Sequence, residues 1–146
     1  MCAERGIAFA GWRPHEPVRG QVNDGNAYYY FGGVAGSAGL FATAGAYEKL
    51  GRFFLNAEAS LFVESQKEQE PTRGLGWQVG EMYPEGCGHT GFTGTSLYIS
   101  RKRNLGVVAF TNRLFFPEEN PNNPNEFRSA LHRAVFEYTA ASAGGS

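Results

Sequence analysis

The chain has 146 residues and a formal net charge of -1, from 13 Lys+Arg against 14 Asp+Glu. This balance excludes the strong positive field of a nucleic-acid-binding protein or of a protein held on an anionic membrane surface. The length and the 42% of hydrophobic residues fit one globular domain. No apolar run approaches the roughly 18 to 20 residues that span a bilayer.

Cysteine and histidine are too sparse to define a structural framework. Cys2 and Cys87 give no sequence reason for a disulfide, so the compartment stays unknown. Cys87 and His89 are close in sequence, but His15 and His132 add no paired ligand spacing. We therefore expect no metal site and no cofactor.

Residues 1–42 are rich in glycine and carry Pro14 and Pro17 without a sustained hydrophobic period. This pattern predicts an extended, loop-rich segment that depends on packing against other parts of the protein. Asp24 is followed by glycine, and Asp-Gly is a strong turn signal. We therefore assign Asp24 to a turn rather than to a binding pocket.

Residues 43–70 are predicted to form two helices. Thr43 can cap the first, which extends through Asn56. Four apolar residues at helical spacing predict its buried face: Ala46, Leu50, Phe53 and Phe54. The second helix is expected from about Leu61 to Gln69, where Pro71 stops it.

Residues 74–114 change to the period of strands. Alternation over residues 75–79 predicts one strand with a buried face. Residues 86–88 are predicted to turn, and strands near 89–100 and 105–112 then complete an antiparallel meander. The basic residues between these last two strands, Arg101, Lys102 and Arg103, are interpreted as a solvated turn.

Residues 124–141 form the clearest predicted helix, with Asn123 as its cap and Pro124 at its first position. An apolar stripe is expected to pack on the meander, formed by Phe127, Leu131, Ala134, Val135 and Tyr138. The charged and polar residues are expected to face water or a polar neighbour: Arg128, His132, Arg133 and Glu137.

One stretch carries the functional signal: Gly88-His89-Thr90-Gly91-Phe92-Thr93-Gly94. It resembles the third active-site motif of the serine β-lactamase and penicillin-binding-protein superfamily, which is Lys-Thr-Gly in many members and His-Thr-Gly in class C-like esterases and related serine hydrolases. Further landmarks follow the usual order of that family: Val18–Ala27, Gly32–Ala44, Gly74–Trp77 and Thr111–Arg113.

The resemblance covers about residues 2–140, and we take 1–146 as one partial domain. It implies an α+β fold, the C-terminal part of the β-lactamase/transpeptidase-like fold. In that fold an antiparallel meander is packed by a C-terminal helix, together with a loop-rich and helical segment from the helical lobe.

The resemblance also implies roles for four residues. His89 would orient a substrate carboxylate or carbonyl and help to tune an upstream Tyr/Lys pair, since imidazole titrates near neutral pH. Thr90 and Gly91 would form the floor on which the substrate lies. The backbone N–H of Phe92 would be one donor of the oxyanion hole, the other being the nucleophile's own N–H. Catalytic roles thus fall to His89 and Phe92, and substrate binding to Thr90 and Gly91.

The family's nucleophile motif is missing from the chain. Neither Ser-x-x-Lys nor Tyr-x-Asn occurs in the sequence, and in the family both lie upstream of the matched landmarks. We therefore expect the chain to be the C-terminal part of a serine hydrolase for an ester, an amide or a β-lactam, inactive alone and partnered by the missing N-terminal portion. An edge strand and one sheet face would then be uncovered, so the isolated chain is expected to be poorly stable or oligomeric.

Two alternatives stay open. The chain could be a non-catalytic binding or scaffold module that kept part of the fold. It could also be an independent hydrolase that uses Ser37 or Ser96, although neither serine has a base that the sequence reveals.

Overall fold

A computed structural model of the chain describes residues 19–113 and 124–143. Contacts divide the chain into two compact units, Met1–Ala42 and Thr43–Ser146. The predictions on Cys2, His15 and the helix cap Asn123 lie outside the described residues. The limits of the four segments drawn from the sequence stay predictions.

The first unit contains a short helix, α1 (Gly25–Tyr30), where the sequence predicted only extended chain and turns. The Oδ1 atom of Asp24 starts it by accepting a hydrogen bond from the Ala27 amide at 2.7 Å. This bond satisfies one of the open N–H groups of a helix N-terminus. The role of Asp24 is therefore local and structural, as a helix cap.

The second unit begins with α2 (Ala44–Asn56), the helix predicted after Thr43. The Thr43 Oγ1 caps it by accepting from the Ala46 amide at 3.2 Å. The predicted buried face is right for Phe54, which packs against the core, and wrong for Leu50 and Phe53, which are 37% and 51% exposed. Together with Phe54, the residues that pack toward the sheet are Tyr47, Gly51 and Leu55.

The face that α2 buries includes Gly51. This glycine is buried, and a Cβ built on it would stand 3.4 Å from the Leu97 side chain of the sheet. The α2 backbone therefore comes close enough to the sheet here for a Cβ to be in van der Waals contact with Leu97. A hydrophobic period counts apolar side chains, so it cannot register a face that is centred on glycine.

α3 (Ser60–Ser65) is shorter than the predicted helix, which extended to Gln69. The chain after Ser65 folds back on itself instead. The Gln69 N–H donates to the Arg73 carbonyl at 2.8 Å, and the Leu75 N–H donates to the Ser65 carbonyl at 2.8 Å. These bonds end the helix before Pro71 could do so.

The second unit is built around a four-stranded antiparallel sheet in the order β1-β2-β3-β4. The strands are β1 (Gln78–Val79), β2 (Cys87–Thr90), β3 (Ser96–Ser100) and β4 (Leu105–Ala109). The predicted meander is present, but the segment near 89–100 forms two strands rather than one. The predicted turn at 86–88 already contains the start of β2.

β1 is shorter than the alternation over 75–79 indicated. The Gly74 N–H donates to the Trp77 carbonyl at 2.9 Å, which closes a turn. Gly76 has a φ of 76° inside that turn, a left-handed conformation that favours glycine. The alternating pattern therefore lies partly in a turn that still buries Trp77.

The basic turn after β3 is solvated, as predicted. Lys102 and Arg103 each form an ion pair with Glu85 at 2.9 Å, on the surface of the unit. Asn104 closes the turn with a φ of 49°, which Asn tolerates better than most residues. The cluster thus joins two strands and pairs with a neighbouring loop.

β3 lies inside the sheet, and all of its residues are buried. Leu97 and Ile99 face the apolar core, which includes Trp77 and Cys87 and is covered by side chains from α2. Successive side chains of a strand point to opposite faces. The alternate residues Ser96 and Tyr98 meet the other helix of the unit, α4 (Pro124–Ala143).

Both faces of β3 are therefore covered within this chain. The expectation that one face of the sheet is left open is wrong for this strand, because α2 and α4 pack on opposite sides of it. The prediction of poor stability or oligomerisation rested on an uncovered edge strand as well as on that open face, and it stays a prediction.

α4 presents a different face to the sheet from the one predicted. Phe127 and Tyr138 are 55% and 75% exposed, whereas Arg128 and His132 are 3% and 0% exposed. Of the two predicted surroundings for Arg128 and His132, water or a polar neighbour, the structure shows the polar neighbour. The physical reason is that this side of the sheet offers hydroxyl and carbonyl oxygens as partners, and paired polar side chains can be buried.

Candidate functional site

The four predicted site residues lie together where β2 ends. After Thr90 the chain turns into β3: the Gly91 N–H donates to the Thr95 carbonyl at 2.7 Å, and the Gly94 N–H donates to the Gly91 carbonyl at 3.1 Å. Gly94 has a φ of 125°. The turn places Phe92 at its first central position, with 68% of the residue exposed.

His89 is exposed near the end of β2, and its ring orientation is fixed by its own strand. Its Nδ1 lies 2.8 Å from the carbonyl oxygen of Thr90. A carbonyl oxygen can only accept, so Nδ1 carries the hydrogen of this bond. Nε2 is then the ring atom left to accept from or donate to a ligand.

The amides around Phe92 are only partly paired, and the adjacent Thr93 N–H, like that of Phe92, has no acceptor among the described residues. The Thr90 N–H donates to the Gln78 Oε1 at 3.2 Å, and the amides of Gly91 and Gly94 are paired within the turn. Among the described residues, no acceptor pairs with the Phe92 N–H. An exposed, unpaired N–H can serve an external anion or carbonyl.

Glycine at position 91 also suits the packing of the turn. A Cβ at this position would overlap the Oγ1 atom of Thr95. The sequence interpretation explained Gly91 by the close approach of a substrate, whereas the structure shows an intramolecular reason for glycine. The substrate-binding roles of Thr90 and Gly91 stay predictions.

Arg128 reaches the turn from α4, and the sequence did not indicate it as a site residue. Its Nη2 donates to the Gly91 carbonyl at 2.7 Å, and its Nη1 donates to the Asn125 Oδ1 at 2.9 Å. Its Nε is buried without a partner in the described part of the chain. A second cation, Arg113, stacks over the Phe92 ring with 4.8 Å from Cζ to the ring centroid.

Ser96 has a base after all, although it is one that the sequence could not reveal. The Ser96 Oγ lies 3.2 Å from the Nε2 of His132, which comes from α4. The other ring nitrogen, Nδ1, lies 3.0 Å from the Met82 carbonyl, so it donates, and Nε2 accepts from the hydroxyl. Ser96 is 2% and His132 0% exposed, so no substrate reaches this pair, and its role is structural.

His132 makes the stability of the fold depend on pH. Burial lowers the pKa of His132 below its ordinary 6.5, the Met82 carbonyl opposes this shift, and the Arg128 charge adds to it. Below pH 6.5 His132 is protonated in the unfolded chain before it is protonated in the folded chain. The free energy of unfolding therefore falls as the pH falls below 6.5, and the contribution of His132 is fully present above that pH. Through His132, we expect the free energy of unfolding to fall by up to about 1.4 kcal/mol for each pH unit below about pH 6.5. Urea unfolding at a series of pH values measures this.

The variant His132→Gln is the control for that titration, because glutamine keeps hydrogen-bonding capacity without a charge change. The free energies of unfolding of the two proteins should run parallel above about pH 7.5 and diverge below about pH 6.5. Parallel curves over the whole range would show that His132 is not held neutral.

The remaining candidates carry no chemistry in this structure. Ser37 is exposed in the first unit, beside a turn closed by the Ala38 N–H on the Ala35 carbonyl at 3.4 Å. Cys87 is 1% exposed in the core, and burial raises the pKa of its thiol to about 12. A protonated, buried thiol is neither a nucleophile nor a metal ligand.

Three further observations concern the described residues as a set. Within residues 19–113 and 124–143, no group of three or more His, Cys, Asp or Glu side chains is placed to hold a metal ion. The same ranges contain no helix with the length and apolar character needed to cross a membrane. A groove of about 450 Å³ between α2 and β4 is lined by none of the four predicted site residues.

An antiparallel sheet between helices, with a His-Thr-Gly segment closing one strand, is the arrangement expected of a β-lactamase-like serine hydrolase. The chain belongs to the beta-lactamase family, whose model matches residues 3–131. The resemblance to the serine β-lactamase and penicillin-binding-protein superfamily is thus confirmed, as is the α+β fold. No solved structure matches the chain.

Curated relatives agree with the family. Two proteins named "Putative D-alanyl-D-alanine carboxypeptidase", one from Escherichia coli K12 and one from Salmonella typhi, are each 34% identical to the chain, over 134 and 137 residues. The alignments cover 75% and 77% of this chain. The chain spans 31% of the length of each of these relatives.

Proposed function

We propose that this chain provides the His-Thr-Gly wall of an acyl-serine hydrolase that acts on an ester, an amide or a β-lactam. The names of the relatives favour the amide of a D-alanyl peptide among these substrates. The nucleophilic serine and its base come from a Ser-x-x-Lys segment outside this sequence.

Each residue at the end of β2 has a defined task in this proposal. When the serine hydroxyl adds to the substrate carbonyl, negative charge develops on the carbonyl oxygen. The Phe92 N–H donates to that oxygen, and the Nε2 of His89 orients the neighbouring carboxylate or carbonyl of the substrate. Thr90 and Gly91 support the substrate beside them. Collapse of the adduct breaks the ester or amide bond, the alcohol or amine takes a proton and leaves, and the acyl-serine ester remains; for a β-lactam the ring opens and the amine stays attached. Water then hydrolyses the acyl-serine ester, which releases the acid and restores the serine hydroxyl.

One observation carries the proposal. At the end of β2 the N–H of Phe92, a residue that is 68% exposed, lacks an acceptor among the described residues, as does the adjacent Thr93 N–H, whereas the amides of Thr90 and Gly91 before them are paired. A donor left open beside an oriented imidazole fits the stabilisation of a developing oxyanion. It completes only half of an oxyanion hole, which agrees with the need for a serine from elsewhere.

A non-catalytic binding module is the second candidate. The absence of Ser-x-x-Lys and Tyr-x-Asn from the sequence favours it. The same open amide would then bind a carboxylate or a carbonyl without cleaving anything. Hydrolysis by Ser96 has no such support, because that hydroxyl is buried.

The test combines covalent labelling with complementation. The purified chain is treated with a fluorophosphonate, and separately with a β-lactam, and its intact mass is measured. We expect no adduct on the chain alone. After association with the N-terminal part of a family member that carries Ser-x-x-Lys, we expect one adduct per complex, on that partner, together with hydrolysis of p-nitrophenyl acetate or of a D-alanyl-D-alanine peptide.

Two variants serve as controls for complementation. Replacing the partner's motif serine by alanine should abolish both labelling and hydrolysis. Arg133→Met, an exposed change on α4, should leave both unchanged. An adduct on a serine of this chain would overturn the proposal, and an associated complex without any hydrolysis would favour the binding module.

A further inference from the structure

Arg128 is buried in a way that stability does not explain. Only 3% of the residue is exposed, and burial lowers its pKa, since removal from water disfavours the charge. In the described part of the chain no carboxylate pairs with it, and its recorded partners are the neutral oxygens of Gly91 and Asn125. A buried cation without a counter-charge is costly, and an apolar side chain of similar volume is often as stable or more so.

The atom that Arg128 contacts belongs to the peptide group of the oxyanion donor. The carbonyl of Gly91 and the N–H of Phe92 lie on one planar amide. Fixing the direction of the carbonyl therefore fixes the opposite direction of the N–H. The Gly91 oxygen accepts from Arg128 at 2.7 Å and from the Gly94 amide at 3.1 Å, so both of its lone pairs are used.

Without such anchors this peptide group would rotate easily. Gly91 has no Cβ to restrict its dihedral angles, and Phe92 lies on an exposed turn. A flipped peptide would direct a carbonyl oxygen, rather than an N–H, at the substrate. The guanidinium also draws electron density toward the carbonyl oxygen, which makes the N–H on the other side of the amide a stronger donor.

We propose that Arg128 is a positioning residue that holds and polarises the Gly91–Phe92 peptide, so that the Phe92 N–H points outward as an anion donor. Its role as an oxyanion donor rests on the proposed function, whereas the orientation and polarisation of the peptide do not. Arg128 itself touches no substrate; it acts through the backbone of the turn.

The first test is nuclear magnetic resonance of the labelled full chain, which requires no hydrolysis. In the native protein, rotation of the Arg128 guanidinium about its Cζ–Nη bonds should be slow, and the Gly91 carbonyl carbon should be shifted downfield. Arg133, exposed on the same helix, is the matched control and should rotate freely. Rapid rotation of Arg128 would overturn the contact without the need for any variant.

Variants then separate positioning from simple packing. Arg128→Met should leave the chain folded while the Phe92 amide proton and the Gly91 carbonyl carbon move upfield and the Phe92 amide exchanges between two orientations. Arg128→Lys keeps a charge and should restore part of both shifts. Arg133→Met should change neither. A folded Arg128→Met protein with unchanged resonances at both positions would refute the proposal.

Kinetics in the complemented hydrolase provide the functional arm. Arg128→Met should lower kcat about 10-fold with little change in KM, since only the donor to the transition state is weakened. Arg128→Lys should recover part of that loss. If the native complex hydrolyses nothing, the proposed function fails, while the resonance measurements still decide the orientation. If the native complex is active and Arg128→Met keeps its kcat, the positioning role fails and the proposed function stands.

Discussion

Phe92→Pro in the complemented hydrolase is expected to lower kcat by about 10²- to 10³-fold, the usual cost of removing one oxyanion donor. Proline lacks the backbone N–H. The substitution fits the turn, because Phe92 follows Gly91 at the first central position, where proline is favoured, and its φ is not positive. Rates on p-nitrophenyl acetate, with the concentration of associated complex fixed, provide the measurement.

Phe92→Ala is the matched control. It removes the same ring, and with it the stacking of Arg113 at 4.8 Å, but it keeps the amide. We expect kcat to change by no more than about 3-fold in this variant, because a single exposed cation–π contact contributes little. Equal losses in the two variants would assign the effect to the ring and would remove the Phe92 amide from the oxyanion hole.

The candidate site could be found from sequence because it is local. His89, Thr90, Gly91 and Phe92 are consecutive, so one motif places all of them at the end of one strand, and the structure has them there. The residues that support the site are remote. Arg128 lies 37 positions from Gly91, and His132 lies 36 positions from Ser96, and no local pattern indicates such pairings.

The errors in the predicted fold have a common physical cause. Hydrophobic periods assume that the buried face of a helix is apolar. α4 buries Arg128 and His132 because the sheet offers oxygen partners, and α2 buries Gly51 because the helix approaches Leu97 there. The spacing of Arg128 and His132, one helical turn apart, was the available sign that they share a face. That spacing does not indicate whether the face that they share packs on the sheet.

Gly88→Ala is expected to lower the free energy of unfolding by about 1–3 kcal/mol or more, the cost of forcing extra volume into a packed core. A Cβ at position 88 would overlap the Tyr83 ring and the Leu97 carbonyl oxygen. Leu97 is held by the β2–β3 ladder. Tyr83 is 2% exposed, and its hydroxyl donates to the Gln78 Oε1 at 2.7 Å. Neither neighbour can move away without breaking a hydrogen bond.

Gly45→Ala is the control for that change, since a Cβ at position 45 meets nothing within 4 Å. Gly45 lies in α2, where alanine is favoured over glycine by about 0.5–1 kcal/mol, so this variant should be neutral or more stable. Urea unfolding of both variants separates steric overlap from loss of glycine flexibility. Equal stabilities would show that β2 relaxes freely at Gly88. A destabilised Gly88→Ala would show that β2 is held rigidly at this position. The Gln78 side chain that accepts from the Tyr83 hydroxyl also accepts from the Thr90 amide. The packing around Tyr83 would then also hold the His-Thr-Gly segment in place.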